Sequence, residues 1–264
     1  SAVTKSGTNT FTGSVFGFGR ADWLSSSYDI RGINRLPTSL PINMVSFGGP
    51  IVKDRAHFYV VWDHQQDSRP IYIADIKTAA DESRYNALIY ADRYLDIART
   101  KYGVSNEPQF GEFGKKKQTN AVFARIDWQL NATNLLTIRN NFINEDNKQS
   151  ESDNSSINLY EVWIDRKSHN NSLLATLRSV LSPKLTNELK LQHFLVYEAT
   201  TPNKQLPSSN IPRAIVENVE SISGDKSMYT SIQLGGQRYA PEHFKDNVLQ
   251  LVDNMYYNTD RINY

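Results

Sequence analysis

The sequence lacks several features that would point to familiar classes of protein. Its 264 residues include no cysteine, which excludes disulfides, thiolate metal sites and cysteine nucleophiles. No apolar run approaches about 18 residues, so we expect no membrane-spanning helix. Neither sign of charge dominates, because 29 basic residues balance 28 acidic ones, and we expect no nucleic-acid partner. Aromatic residues, at 11%, are frequent for so polar a chain and suit a β-rich protein.

Catalytic and metal-binding motifs are also missing. The sequence has no HExxH pair and no GxSxG elbow, and "GFG" (17–19) lacks the third glycine and the strand–helix order of a phosphate loop. No histidine has a close metal spacing with carboxylates; the five are His57, His64, His169, His193 and His243. We therefore expect no enzyme, no metal and no cofactor.

What the chain does contain is alternation at period two. In "ARIDWQLNATNLLTIRNNF" (124–142) two strands flank a short turn. Apolar residues fill one face of the first strand: Val122, Ala124, Ile126, Trp128 and Leu130. The other face carries Phe123, Arg125, Asp127 and Gln129. This pattern predicts a sheet with one apolar and one polar face.

Eight such segments predict eight strands, at about 9–20, 43–52, 57–66, 119–130, 135–144, 170–181, 185–199 and 245–257. Connections of roughly three or four residues alternate strictly with connections of roughly 20–50 residues. Short turns at one end and long loops at the other are typical of antiparallel transmembrane β-barrels of the outer membrane. The alternative is a soluble antiparallel protein with one face on a core.

The barrel interpretation assigns a direction to each face. Residues such as Phe58, Val60 and Trp62 would face lipid, while Asp63 and Gln65 would face inward. His193 interrupts the apolar face of Leu189, Leu191 and Leu195, and Asp253 shares a face with Leu249, Leu251 and Met255. The eighth segment is therefore ambiguous.

One long loop has a helical pattern. Residues 78–103 carry early acidic residues, Asp81 and Glu82, and end at Gly103, a common C-terminal helix stop. The predicted apolar positions are Ala79, Leu88, Tyr90, Ala91, Tyr94, Leu95 and Ile97. The helix would serve as a lid or docking surface, or simply pack on the barrel mouth.

Three stretches together resemble one family. "VTKSGTNTFTG" (3–13), "FGGPIVKDRAHFYVVWD" (47–63) and "ARIDWQLNATNLLTIR" (124–139) are similar, in order and spacing, to TonB-dependent outer-membrane transporters, in particular the Oar-like group of Bacteroidota. The resemblance implies that residues 1–8 end a plug domain and that residues 9–264 begin the barrel. It also implies a barrel of about 22 strands, a TonB partner and uptake of a substrate too large for porins.

The resemblance gives roles to the polar residues. Six inward-facing side chains would contact the plug or the lumenal water: Arg125, Asp127, Arg139, Arg178, Glu188 and Lys190. The run Lys115, Lys116 and Lys117 would touch lipopolysaccharide phosphates, or is simply a solvated charge run. A surface lipoprotein or other outer-membrane subunits are further expected partners.

Eight strands of a 22-stranded barrel leave two unpaired edges, which are costly in lipid. We therefore expect this chain to be part of a longer protein whose remaining strands complete the barrel. A closed eight-stranded barrel is the competing geometry. The functional alternatives are a non-transporting barrel that acts as a scaffold subunit of an outer-membrane complex and, less favoured, a soluble β-rich binding domain.

Overall fold

The computed structural model describes residues 5–24, 26, 28, 38–73, 91–103, 106, 108–151, 157–202, 213–219 and 230–258. Eleven strands lie in these ranges: β1 (Thr12–Arg20), β2 (Leu40–Val52), β3 (Ala56–Ile73), β4 (Gly111–Asn131), β5 (Asn134–Glu151), β6 (Ile157–Asn158), β7 (Ile164–Ser182), β8 (Leu185–Pro202), β9 (Ala214–Val219), β10 (Thr230–Leu234) and β11 (Glu242–Tyr257). Helix α1 covers Ala91–Tyr102, and two short 3-10 helices cover Asp22–Leu24 and Tyr160–Val162.

Eight strands form one antiparallel sheet in the order β1-β2-β3-β4-β5-β7-β8-β11. All eight predicted segments lie in this sheet. Three of the four predicted tight turns fall at residues 53–55, 132–133 and 183–184, and the fourth, after residue 257, runs beyond the described residues. Within the described residues, β1 and β11 each pair along one edge only. The order is that of a simple meander, in which each strand of the sheet pairs with the next one along the chain.

The two faces of the sheet keep the predicted composition from β3 to β11. On β1 and β2 the polar face also carries apolar side chains, namely Phe16, Phe18, Ile42 and Met44. One register row of the apolar face runs Phe58, Ile126, Ile138, Ala175, Leu191 and Leu251. The next row, on the polar face, runs Tyr59, Arg125, Arg139, Leu174, Gln192 and Gln250. Because neighbouring side chains on a strand point to opposite faces, this register fixes the face of every residue in the sheet.

The two residues that interrupt the apolar pattern do lie on the apolar face. His193 Nε2 is 2.7 Å from the side-chain oxygen of Asn247 on the neighbouring strand. The carboxylate of Asp253 accepts a hydrogen bond from the side-chain amide of Asn187. Each interruption is therefore paired with a polar partner on the same face.

Most strands are longer than the pattern predicts. We predicted residues 119–130 for β4, but it begins at Gly111 and spans 21 residues. The ladder with β3 continues without a break from Ala56↔Trp128 to Ile73↔Gly111. Backbone hydrogen bonds do not need alternating side chains, so the polar ends of these strands, beyond the apolar band, carry no periodic signal.

The long-loop end carries a second, smaller folded layer. β6 pairs in parallel with β10, and β10 pairs antiparallel with β9, so two different loops share one small sheet. Tyr160 stacks on Phe113 with ring centroids 3.8 Å apart, beside Ile71, Phe110 and Trp163. Fully buried side chains concentrate here: Leu159, Val162, Ile164 and Ile232 are all at most 1% exposed. The predicted long loops are therefore partly folded into a layer with buried side chains of its own.

The predicted helix is present in part. α1 occupies residues 91–102, with Leu95 and Ala98 buried and Ile97 exposed. Gly103 follows with a φ of +69°, which confirms the predicted stop because glycine accepts this conformation without strain. Residues 78–90, with Ala79, Leu88 and Tyr90, lie outside the described residues. No described helix is long and apolar enough to cross a membrane.

Candidate functional site

The polar face of the sheet is covered at the short-turn end by the segment that precedes β1. Lys5 Nζ lies 5.3 Å from the ring centre of Tyr59, whose side chain is on the polar face and is only 8% exposed. A Cβ atom at Gly7 would lie 2.2 Å from the carbonyl oxygen of Phe58. Only glycine therefore allows the backbone to pass so close to the strand.

Asn9 fastens this segment to the turn between β2 and β3. Its side-chain oxygen accepts a hydrogen bond from the backbone N–H of Asp54 at 2.8 Å and lies 2.7 Å from His57 Nε2. Its side-chain amide donates to the Asp54 carboxylate. Two residues later, Phe11 reaches the apolar face and stacks on Phe47 at 5.8 Å. Residues 5–9 therefore lie against the polar face, and β1 starts beyond them.

Three of the six predicted polar residues form one group next to this segment. Arg125 contacts Asp127 with two hydrogen bonds of 2.8 Å, and Thr137 donates to the same carboxylate at 2.9 Å. Arg139 lies directly opposite Arg125 on the neighbouring strand. Two like charges in facing positions repel, so Arg139 adds an unfavourable positive charge to this group.

The other three form a second group two strands further along. Glu188 and Lys190 are bound to each other, and Arg178 lies directly opposite Glu188. Within the described residues, neither Arg139 nor Arg178 has an ion pair. A cavity of about 530 Å³ opens beside this group, between Arg178, Glu188 and Tyr256. The predicted six residues thus share one face but form two groups rather than one.

A third polar group at the long-loop end was missed by the sequence analysis. Arg69 pairs with Asp67 at 2.7 Å, and both line a cavity of about 270 Å³ with Arg20, Thr38 and Ser39. The hydrogen bond and charge of Asp67 raise the pKa of Arg69. Counting at period two from Asp63 and Gln65 on the same strand would have placed Asp67 and Arg69 on this face.

The lysine run of β4 is split between the two faces. Lys117 lies on the polar face and pairs with Glu145 at 2.8 Å, and Lys115 shares that face by alternation. Only Lys116 points to the apolar side and is exposed. The predicted lipid contact therefore stays a prediction for Lys116, since the other two face the opposite way.

An ion pair with a buried carboxylate links β5 and β7 at the long-loop end of the sheet. Lys148 Nζ lies 3.1 Å from the carboxylate of Asp165, which is 3% exposed, and 3.6 Å from Asp146. Partial burial lowers the pKa of Lys148, but the hydrogen bond and charge of Asp165, helped by Asp146, outweigh it and leave that pKa raised. In the part of the chain that the structure describes, no cluster of three His, Asp or Glu residues could hold a metal ion.

Comparison with known proteins agrees with this geometry. Residues 3–85 match a family model described as an outer membrane beta barrel domain. No curated protein matches the chain, and no solved structure matches it. The matched range covers the segment before β1 and strands β1–β3, which include the first two stretches of the sequence resemblance.

The fold and the family match define the class of this protein. It is an integral outer-membrane protein built from antiparallel strands of a transmembrane β-barrel. The apolar face is accordingly the lipid-facing side and the polar face the lumenal side. Short turns lie in the periplasm and long loops outside the cell, as in other barrels of this kind.

Proposed function

We propose that this chain forms the first part of the barrel of a TonB-dependent, Oar-like transporter, which takes up a substrate too large for porins. The observation that supports this function best is the course of residues 5–9. They lie on the lumenal wall, held by Lys5, Gly7 and Asn9, where a plug domain would connect to the first strand. The resemblance of "VTKSGTNTFTG" to a plug–barrel junction supports the same assignment.

In this proposal the lumenal charges hold the plug. Arg139 and Arg178 have no ion pair among the described residues, and carboxylates of a plug would compensate them. A plug that covers these charges would remove their water, which is costly unless they are paired, so pairing across the plug surface would stabilise the closed state. TonB would act on a segment of the plug and weaken these contacts during uptake. No enzymatic activity is part of the proposed function.

The open sheet supports the second part of the proposal, a larger barrel. Among the residues that the structure describes, β1 and β11 each have one unpaired edge, and unpaired backbone groups in lipid cost several kcal/mol each. Further strands would have to pair with both edges. The intact mass of the natural protein tests this directly: we expect a mass several times 30.1 kDa. A mass near 30.1 kDa would contradict the large barrel.

Charge reversal at Arg125 tests the role of the lumenal wall. Arg125→Glu places a carboxylate beside Asp127 and destroys the bidentate contact, so the plug should be held less firmly. We expect cells with this variant to become sensitive to antibiotics too large for porins, while the amount of folded barrel in the outer membrane stays unchanged.

Lys53→Glu is the matched control, because it makes the same charge change in an exposed periplasmic turn. Unchanged antibiotic exclusion in both variants would exclude a plug-holding role for Arg125. If neither variant changes antibiotic exclusion but the natural protein has a TonB box, transport remains possible. If the natural protein has no TonB box, the scaffold function is favoured.

A further inference from the structure

A group of basic and hydrogen-bonding side chains lies on the lipid-facing side of β7, β8 and β11. His169, Tyr197 and Lys245 occupy one register row on these three strands. Lys167, Ala199 and His243 occupy the next row towards the extracellular end. Facing positions on neighbouring strands have Cβ atoms about 5 Å apart, so the six residues form one continuous surface, here called the β7–β11 patch.

The height of the β7–β11 patch places it just above the hydrocarbon. On β7 the lipid-facing apolar positions run from Leu181 to Leu173. At about 2.5 Å of height per residue for a tilted strand, this is about 20 Å, and Asn171 completes a band of about 25 Å. Lys167 and His169 follow directly, at the level where the phosphate groups of outer-leaflet lipids lie.

The charge of the patch is free to act on a ligand. Lys167 and Lys245 are exposed, and within the described residues neither has an ion pair. Asp146 lies opposite Lys167, but it and Asp165 both face Lys148, at 3.6 and 3.1 Å. The Tyr197 hydroxyl is 3.4 Å from His243 Nδ1, so these two side chains are oriented together.

The lipid-facing side of β3 and β4 on the same register rows offers no comparable group. The corresponding row there carries His64 and Asn120, which bind each other at 2.8 Å, and the rows above add Gln66, Gln118, Ser68 and Lys116. One histidine, already bound to Asn120, and one lysine therefore replace the two lysines, two histidines and one tyrosine of the β7–β11 patch. The difference indicates a local site rather than a uniform interfacial belt.

We propose that the β7–β11 patch binds a phosphate group of lipopolysaccharide, the phosphorylated glycolipid of the outer leaflet. Lys167 and Lys245 would supply the charge, and His169, Tyr197 and His243 would donate hydrogen bonds to phosphate oxygens. The acyl chains would lie on Leu173, Leu195 and the apolar face below. Charge complementarity and the position above the apolar band select this ligand over a protein segment.

Binding of purified lipid A to the full protein in detergent tests the proposal. Each lysine near an anionic lipid contributes a factor of about five, so Lys167→Gln with Lys245→Gln should weaken binding of diphosphorylated lipid A about 25-fold. Lys167→Arg with Lys245→Arg keeps both charges and should restore most of the affinity. Lys53→Gln with Lys101→Gln removes two exposed lysines elsewhere and should stay within about twofold of the natural protein.

Three outcomes would overturn the assignment. Equal binding of dephosphorylated lipid A would show that the phosphate is not recognised. Displacement by an equal concentration of inorganic phosphate would show a general anion site rather than a lipid site. A co-purifying protein lost from the double glutamine variant, with lipid A binding unchanged, would make the patch a protein interface. None of these results depends on plug retention or transport, so the two proposals are tested separately.

Discussion

The barrel wall and the extracellular layer place the same types of apolar side chain in opposite environments. In the wall, large apolar residues such as Leu191, Leu251 and Trp128 are about half to two-thirds exposed, because lipid rather than protein covers them. In the layer, Leu159, Val162 and Ile232 are at most 1% exposed, and segments of two different loops pair there. The wall is held mainly by backbone ladders, whereas the layer depends on a protein core.

This difference between wall and layer predicts where stability depends on side-chain volume. A cavity in a close-packed core stays partly empty and costs free energy. A gap on a lipid-facing strand can be filled by acyl chains, so the same truncation should cost less there. The wall should instead be sensitive to polarity, since lipid cannot solvate a charge.

Truncation of a buried leucine in the layer should have the largest effect. We expect Leu159→Ala to destabilise the layer by about 2–5 kcal/mol, because Leu159 is fully buried. Leu191→Ala, at 48% exposure on the lipid-facing side, is the matched control and should cost about 1 kcal/mol. Amide hydrogen exchange of residues 157–165 and of β8 measures the two effects. Similar losses at both positions would refute the comparison.

A charge on the wall should come next. Leu191→Arg places a guanidinium in the hydrocarbon and should cost about 2–4 kcal/mol near the bilayer midplane. Gln192→Arg adds the same group one residue away on the lumenal face, where water solvates it, and should cost below about 1 kcal/mol. Urea unfolding of the protein in lipid vesicles gives both values. The reverse order would mean that the two faces of β8 are assigned wrongly.

Removal of a lipid-facing polar partner should have the smallest effect of the three. Asn247→Ala leaves His193 Nε2 without its partner on the lipid-facing side, and we expect a loss of about 1–3 kcal/mol. Gln250→Ala on the lumenal face of the same strand should change stability by less than about 0.5 kcal/mol. The same urea titration compares them. An unaffected Asn247→Ala variant would mean that water or lipid headgroups already satisfy His193.

The sequence predicted the wall well because the wall is a local property. Alternation at period two located all eight strands, and the positions of Arg125, Asp127 and Glu188 followed from counting alone. The same counting would have found Asp67 and Arg69, which were missed because they lie beyond the apolar band. The predicted strands were also too short at their long-loop ends, because those ends lie beyond the apolar band.

The layer could not be predicted in this way. β6 is two residues long and finds its partner, β10, more than seventy residues further along the chain. Neither segment has a repeating pattern of its own, and only their pairing buries Leu159 and Ile232. The faces of Lys115–Lys117 were also not predicted. Three identical residues show no alternation in the sequence, although the strand turns Lys116 to the opposite side.

The sequence by itself therefore determined the strands, their faces and the outer-membrane class, since alternation and turn spacing are read from neighbouring residues. Only the tertiary structure decided which residues meet: Asn9 with His57, His193 with Asn247, Lys148 with Asp165, and the three strands that form the β7–β11 patch. The physical reason is register. A strand's own residues fix which side each side chain faces, but hydrogen bonds to the next strand fix which side chains become neighbours.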